Sequence, residues 1–303
     1  MFNKLIAGVL PYMPKKLVWI FSQRYIAGEN LEDGLRVARE LNEKGILVTV
    51  DLLGEFIKRI EEAKENRDRY LDIIERFTGE GIQGNFSVKP TMFGLLIDQE
   101  KCYSYIRDVV KLASEKNSFI RVDMEDSQCV DMELELYLRL KEEFPKAVGL
   151  VVQAYLRRTP KDLEYLLKYH TPESPINFRL CKGIYVEPKE IAWKGYDEVR
   201  NQYLILLGFM LKNKIYVGIA THDKFLIDGA YRLIRELKPA PDMYEFQMLH
   251  GVTPELRASI VDKGYKMRVY VPFGKQWFGY STRRLKENPR MASLIIKALF
   301  KRG

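Results

Sequence analysis

Cysteine and histidine are scarce in this 303-residue sequence, with three of each. Cys102, Cys129 and Cys181 are odd in number, scattered and without CxxC spacing, which excludes a disulfide frame and points to a reducing, cytoplasmic setting. His170, His222 and His250 lie far apart, with neither HxH nor HExxH spacing, so no metal site is expected. No GxGxxG follows any strand-like run, and the chain has neither a P-loop nor a nucleophile elbow. Runs of about eighteen apolar residues, the length that spans a bilayer, are missing. So are low-complexity tracts and Gly/Ser/Pro-rich linkers, which favours one large domain over two small ones. The opening MFNKLIAGVLPYMPKK is apolar but short and interrupted by Pro11 and Pro14, and its charges follow rather than precede the apolar stretch. It does not read as a signal peptide.

What is present is ordinary globular material, 47% hydrophobic and 30% charged. The net charge of +8 comes from 49 Lys and Arg against 41 Asp and Glu, intermingled as in EEAKENRDRYLDIIER. A nucleic-acid surface would segregate its basic residues, so nucleic acid is not an expected partner. The surplus suits anionic ligands or lipid headgroups.

After residue 45 one pattern repeats. A short β-branched, apolar run ends in a polar cluster and is followed by an amphipathic stretch. The runs fall at 46–53, 83–90, 119–126, 148–155, 176–183, 216–223, 244–251 and 267–274. Helical patterns such as 131–144 and 223–237 lie between them. Strands alternating with helices make parallel βαβ units, and eight of them in roughly 250 residues predict an α/β protein with a (βα)8 barrel. Residues 1–45 form an N-terminal helical arm of two or three helices, one over LEDGLRVARELNEKG ending at Gly45. Residues 46–303 form the barrel with a C-terminal helix.

Barrel chemistry gathers where strands end. Those ends carry Asp51, Lys89, Asp123 with Glu125, Gln153 with Tyr155, Arg179 with Lys182, Thr221-His222-Asp223, His250 and Tyr270. Asp51 and Asp223 also suit helix caps. Lys89 is open to three readings: an imine-forming lysine, a fixed cation, or a surface lysine before a proline turn. Strand alternation puts Arg121, Asp123 and Glu125 on one face, with a carboxylate there able to orient Lys89. In YSTRRLKENP, Tyr280, Arg283, Arg284 and Glu287 share one helix side, an arginine fork suited to a small carboxylate or a phosphate. Hydrogen bonds, cations and aromatics abound while acid–base groups are few, as where an organic cofactor carries the reaction.

Seven segments resemble the signatures of the FAD-dependent proline dehydrogenase family in order and position: VDMED (122–126), QAYLRR (153–158), FRLCKGIY (178–185), ATHD (220–223), EFQMLHG (245–251), RVYVPFG (268–274) and YSTRRLKEN (280–288). The resemblance covers about residues 45–290. It implies a distorted barrel that oxidises L-proline to Δ1-pyrroline-5-carboxylate and passes the electrons to a quinone. Arg283 and Arg284 would clamp the proline carboxylate with Lys89 as a third cation. Tyr270, Tyr280 and Leu249 would shape the ring pocket. Asp123 would hydrogen-bond Lys89, and Arg179 would lie by the reactive edge of the flavin. Gln153, Lys182, Gly183, Ile184, Thr221 and His222 would bind FAD, with Met124 touching it. The family usually has alanine where Ile184 stands. The termini KLIAGVLPYM and MASLIIKALFKR are short, apolar and flanked by basic residues. They suit either peripheral contact with the inner face of a membrane, or packing on the barrel or a second subunit.

Overall fold

A computed structural model describes residues 15–287; the side chains of residues 16, 17, 20, 21 and 283–287 lie outside the description. Eight parallel strands close into a barrel in chain order. They are β1 (Leu47–Leu52), β2 (Gly84–Val88), β3 (Phe119–Val122), β4 (Val148–Gln153), β5 (Asn177–Cys181), β6 (Tyr216–Ala220), β7 (Tyr244–Leu249) and β8 (Met267–Phe273). Each expected strand is present but shorter than its apolar run, because the runs continue into the loops that build the mouth. The run at 83–90 loses its end to Pro90, which has no N–H for the ladder and starts a 3-10 turn, Pro90–Phe93. The helical patterns at 131–144 and 223–237 become Val130–Glu143 and Lys224–Leu237.

The helices between the strands bury one face against the outer face of the barrel, and residues such as Phe86, Ile120, Leu150, Phe178, Ile219 and Phe246 form the core there. The helices around β8 and β1, where the barrel closes, are arranged differently. The helix Leu31–Asn42 buries Leu35, Val37, Ala38 and Leu41 and covers β8 and β1, with Gly34 seated on the Phe273 ring. The helix after β8, Trp277–Glu287, packs instead on Lys15–Ser22, with the Trp19 and Trp277 rings 4.8 Å apart. Tyr280 is thereby turned into the mouth. Among the described residues, no helix is long and apolar enough to cross a membrane.

Polar side chains occupy much of the barrel interior, and glycines make room for them. A Cβ on Gly149 would lie 2.5 Å from Arg121 Nη1, and one on Gly218 would lie 2.3 Å from Gln247 Nε2. Arg121 uses that space to donate to the carbonyls of Leu150 (3.1 Å) and Asn177 (2.7 Å). Deeper still, Arg268 Nε donates to Glu245 at 2.6 Å and Arg268 Nη1 to the Val48 carbonyl at 2.8 Å. The carbonyl acceptors of Arg121 and the ion pair of Arg268 offset the cost of burying these charges.

Candidate active site

The C-terminal ends of the strands open into a cavity of about 700 Å³, within the range of roughly 300–1,000 Å³ usual for ligand and cofactor sites. Asp51, Lys89, Asp123, Met124, Gln153, Arg179, Lys182, Gly183, Ile184, Thr221, His222, Leu249, Tyr270 and Tyr280 all line it. A larger groove of about 840 Å³ lies on the outer wall around Leu134, Leu138 and Tyr165, away from every strand-end group. Size does not decide between them: the chemistry converges on the barrel mouth.

The floor is one connected network. In the β1–β2 register Asp51 stands beside Ser87, and Lys89, the first residue after β2, brings its ammonium to Asp51. Lys89 Nζ donates to Asp51, lies 3.9 Å from Asp123 Oδ2 and reaches the Tyr270 hydroxyl at 3.5 Å. Asp123 accepts from Ser87 Oγ (2.6 Å), Arg179 Nη1 (2.9 Å) and the Tyr270 hydroxyl (3.0 Å). Arg179 Nε donates to Gln247 Oε1 at 2.7 Å, and Gln247 Nε2 to Glu245 at 2.7 Å. The chain thus runs from the mouth down to Arg268. The Arg179 guanidinium also lies 5.1 Å from the centre of the Tyr270 ring.

Burial sets the electrostatics. It lifts the Asp51 carboxyl to about 6 against the opposing pull of Lys89. Burial alone would lower Lys89, but the Asp51 and Asp123 carboxylates outweigh it and hold the ammonium above its ordinary range. We read the pair as ionised at neutral pH, because each charge has its partner in contact. Burial, then Asp123 and Asp51, raises the Tyr270 phenol well above its usual value, so it stays a donor.

Three sequence expectations need correction. Lys89 donates its hydrogen bond to Asp51 and lies beyond hydrogen-bond distance of Asp123, whose oxygens accept from Ser87, Arg179 and Tyr270. Asp51 is therefore no helix cap. Glu125 does not share the face of Asp123, because β3 ends at Val122 and alternation ends with it. Glu125 is buried elsewhere, accepting from Thr91 N (2.8 Å) and Oγ1 (2.6 Å). Of the three readings of Lys89, the fixed cation fits: a paired ammonium is neither a surface group nor a nucleophile.

The ends of β4, β5 and β6 build the opposite half. Gln153 Nε2 donates to the Glu125 carbonyl at 2.7 Å. Gly183 has φ +108°, and a Cβ there would sit 2.1 Å from the Tyr155 ring, so only glycine lets the chain turn against that wall. Lys182 Nζ lies 3.6 Å from Asp223. Asp223 does cap its helix, accepting from Phe225 N at 3.1 Å, and it also binds Arg200. His222 Nε2 accepts from Leu249 N at 2.8 Å, tying β6 to β7. Ile184 is 45% exposed, so its larger side chain points where packing is loose. Among the described residues no cluster of His, Cys, Asp and Glu could hold a metal.

The helix carrying Tyr280, Arg283 and Arg284 stands at the mouth and Tyr280 lines the cavity, but the two arginine side chains lie outside the described residues. Sequence reasoning missed Ser87, Gln247 and the Glu245–Arg268 pair, whose partners are distant in sequence. It also missed Tyr25, a cavity-lining residue from the N-terminal segment that carries no motif.

The profile of the proline dehydrogenase family matches residues 34–296. The chain is 32% identical to proline dehydrogenase 1 of Bacillus subtilis subsp. natto over 283 residues, 93% of this chain and 91% of that one. It is 33% identical to the proline dehydrogenase of Deinococcus radiodurans over 293 residues, 95% of this chain and 93% of that one. Among solved structures it resembles proline utilization A from Bdellovibrio bacteriovorus inactivated by N-propargylglycine, with a TM-score of 0.86 and 25% identity. That match covers 95% of this chain but 36% of the other.

Proposed function

From the chain's membership of the proline dehydrogenase family, oxidoreductases of the first step of proline catabolism, we propose that it oxidises L-proline to Δ1-pyrroline-5-carboxylate with FAD and delivers the electrons to a quinone. The observation that carries this reading is the division of one cavity. A half built by β1–β3, β7 and β8 offers Asp51, Lys89, Asp123, Leu249 and Tyr270. A half built by β4–β6 offers Gln153, Lys182, Gly183, Thr221 and His222.

The second half fits FAD in its donor set. Lys182 is a cation for the pyrophosphate, Gly183 brings bare backbone to the wall, and Gln153, Thr221 and His222 supply polar groups. Ile184 and Met124 offer apolar surface beside them. When bound, FAD supplies the two-electron oxidant that takes a hydride from the ring carbon beside nitrogen.

In the substrate half, Arg283 and Arg284 clamp the carboxylate of proline, with Lys89 beneath. Tyr270, Tyr280 and Leu249 confine the ring. The amine has to be neutral for its lone pair to drive the reaction. Lys89 and Arg179 are matched by Asp51 and Asp123, so the floor is balanced in charge. The surplus positive field that disfavours an ammonium therefore falls to the two arginines. Asp123, held by three donors, keeps Arg179 and Tyr270 in place, and the Arg179 cation stabilises negative charge that develops above it. Peripheral contact with a membrane would give access to a lipid-soluble quinone.

Anaerobic addition of proline to purified protein tests the reading. Yellow protein that bleaches with proline and recovers its colour with a water-soluble quinone is expected. Colourless protein, or colour that proline leaves unchanged, would overturn it.

A further inference from the structure

We propose that Tyr25, from the segment preceding the barrel, is a wall of the substrate half of the cavity and limits the size of the imino-acid ring admitted; this rests on the reading above. The segment has no regular structure of its own at this point, yet Tyr25 is only 5% exposed and lines the cavity. Hydrogen bonds on either side of it hold its backbone in place. Ala27 N donates to the Pro272 carbonyl at 2.9 Å, and Gly274 N donates to the Gly28 carbonyl at 2.9 Å. Arg24 Nε donates to the Gly251 carbonyl at 3.1 Å. Gly251 is shaped for the crossing: its φ is +71°, and a Cβ there would fall 1.6 Å from the Arg24 carbonyl oxygen.

The position of these anchors decides which half Tyr25 serves. Gly251 follows β7, and Pro272 and Gly274 lie at the end of β8. Those strands bring Leu249 and Tyr270 to the cavity, whereas Lys182, Gly183 and Thr221 arrive on β5 and β6. The strap therefore crosses over the substrate half. Its foundation is firm on the other side as well, since Trp277 Nε1 donates to Glu29 at 2.6 Å on the helix that carries Tyr280. With its backbone held on one flank by main-chain bonds and on the other by the Arg24 side chain, and its ring packed to 5% exposure, Tyr25 presents its bulk as a boundary of the cavity.

The test compares kcat/KM for proline with that for its six-membered homologue, piperidine-2-carboxylate, in flavin-loaded enzyme. Tyr25→Ala should raise the ratio of homologue to proline about tenfold or more, the scale at which a pocket discriminates by one methylene. Tyr25→Trp should lower it, and Tyr25→Phe should leave it as in the wild type. If Tyr25→Ala fails to fold, Tyr25→Leu takes its place with the same expected direction. Active, flavin-loaded Ala or Leu and Trp variants with the wild-type ratio overturn this inference alone. A wild-type protein that does not oxidise proline overturns the proposed function, and the inference with it.

Discussion

Asp51 and Lys89 meet across β1 and β2 as a buried ion pair, 1% and 8% exposed, at the floor of the cavity. Neither charge could remain there alone. Asp51→Asn should therefore lower kcat/KM for proline roughly 30- to 1,000-fold, from about 2–4 kcal/mol for stripping one partner from a buried pair. Flavin content should be unchanged, because Asp51 belongs to the half opposite the proposed cofactor groups. Steady-state kinetics beside the visible absorbance ratio would measure both, and wild-type turnover in Asp51→Asn would end the pairing argument.

Acid should act on the same pair. The Asp51 carboxyl sits at about 6 in the fold, so protonation as pH falls through that value deprives Lys89 of its counter-charge. An acid limb in kcat/KM near pH 6 is expected, and it should be missing in Asp51→Asn. The stability effect of this group has the opposite sign. Its folded value lies above the unfolded 3.8, so the folded state binds the proton first and gains stability as pH falls from 6 towards 3.8.

His250 works the other way. Burial, and next Arg257, depress its imidazole from 6.5 to about 4, and its buried Nδ1 has no hydrogen-bond partner among the described residues. Its contribution is complete above 6.5 and is lost as pH falls towards 4. Between about pH 7.5 and about pH 5 that loss is on the order of 2 kcal/mol. Urea unfolding at both pH values, wild type against His250→Gln, isolates it from the opposite effect of Asp51. Equal pH dependence in the two proteins would refute it.

Gly183→Ala tests the other half. The new methyl would have to move the Tyr155 ring and adopt φ +108°, strain of about 1–3 kcal/mol. The purified variant should keep its far-ultraviolet circular dichroism and lose most of its flavin absorbance. Full retention of flavin would remove Gly183 from the cofactor wall.

Arg283→Ala and Arg284→Ala should each lower kcat/KM for proline by about 30- to 1,000-fold if they clamp its carboxylate. Near-normal turnover in both would dismiss the clamp.

The barrel was legible because its signal is local. Eight apolar runs with helical intervals announce their own period, as in VGLVVQ of β4, where every residue is buried. Much of the site was legible too, since strand ends in a barrel must converge. The relations within it were not. Asp51 finds Lys89 through the β1–β2 register, which neither residue encodes alone. Glu125 was misplaced by extending alternation past Val122, where the chain leaves the ladder. Tyr25 reaches the cavity only because two loops distant in sequence provide its anchors.

The crowding above Gly218 has an evolutionary consequence. Gln247 occupies the volume that any side chain at 218 would need, so descendants of this gene cannot alter the two positions independently. A larger residue at one obliges a shorter one at the other, and that shorter residue would leave Arg179 and Glu245 without their go-between. Gly218, which lines no part of the cavity, is thus confined to a hydrogen by a side chain that serves the site from the neighbouring strand.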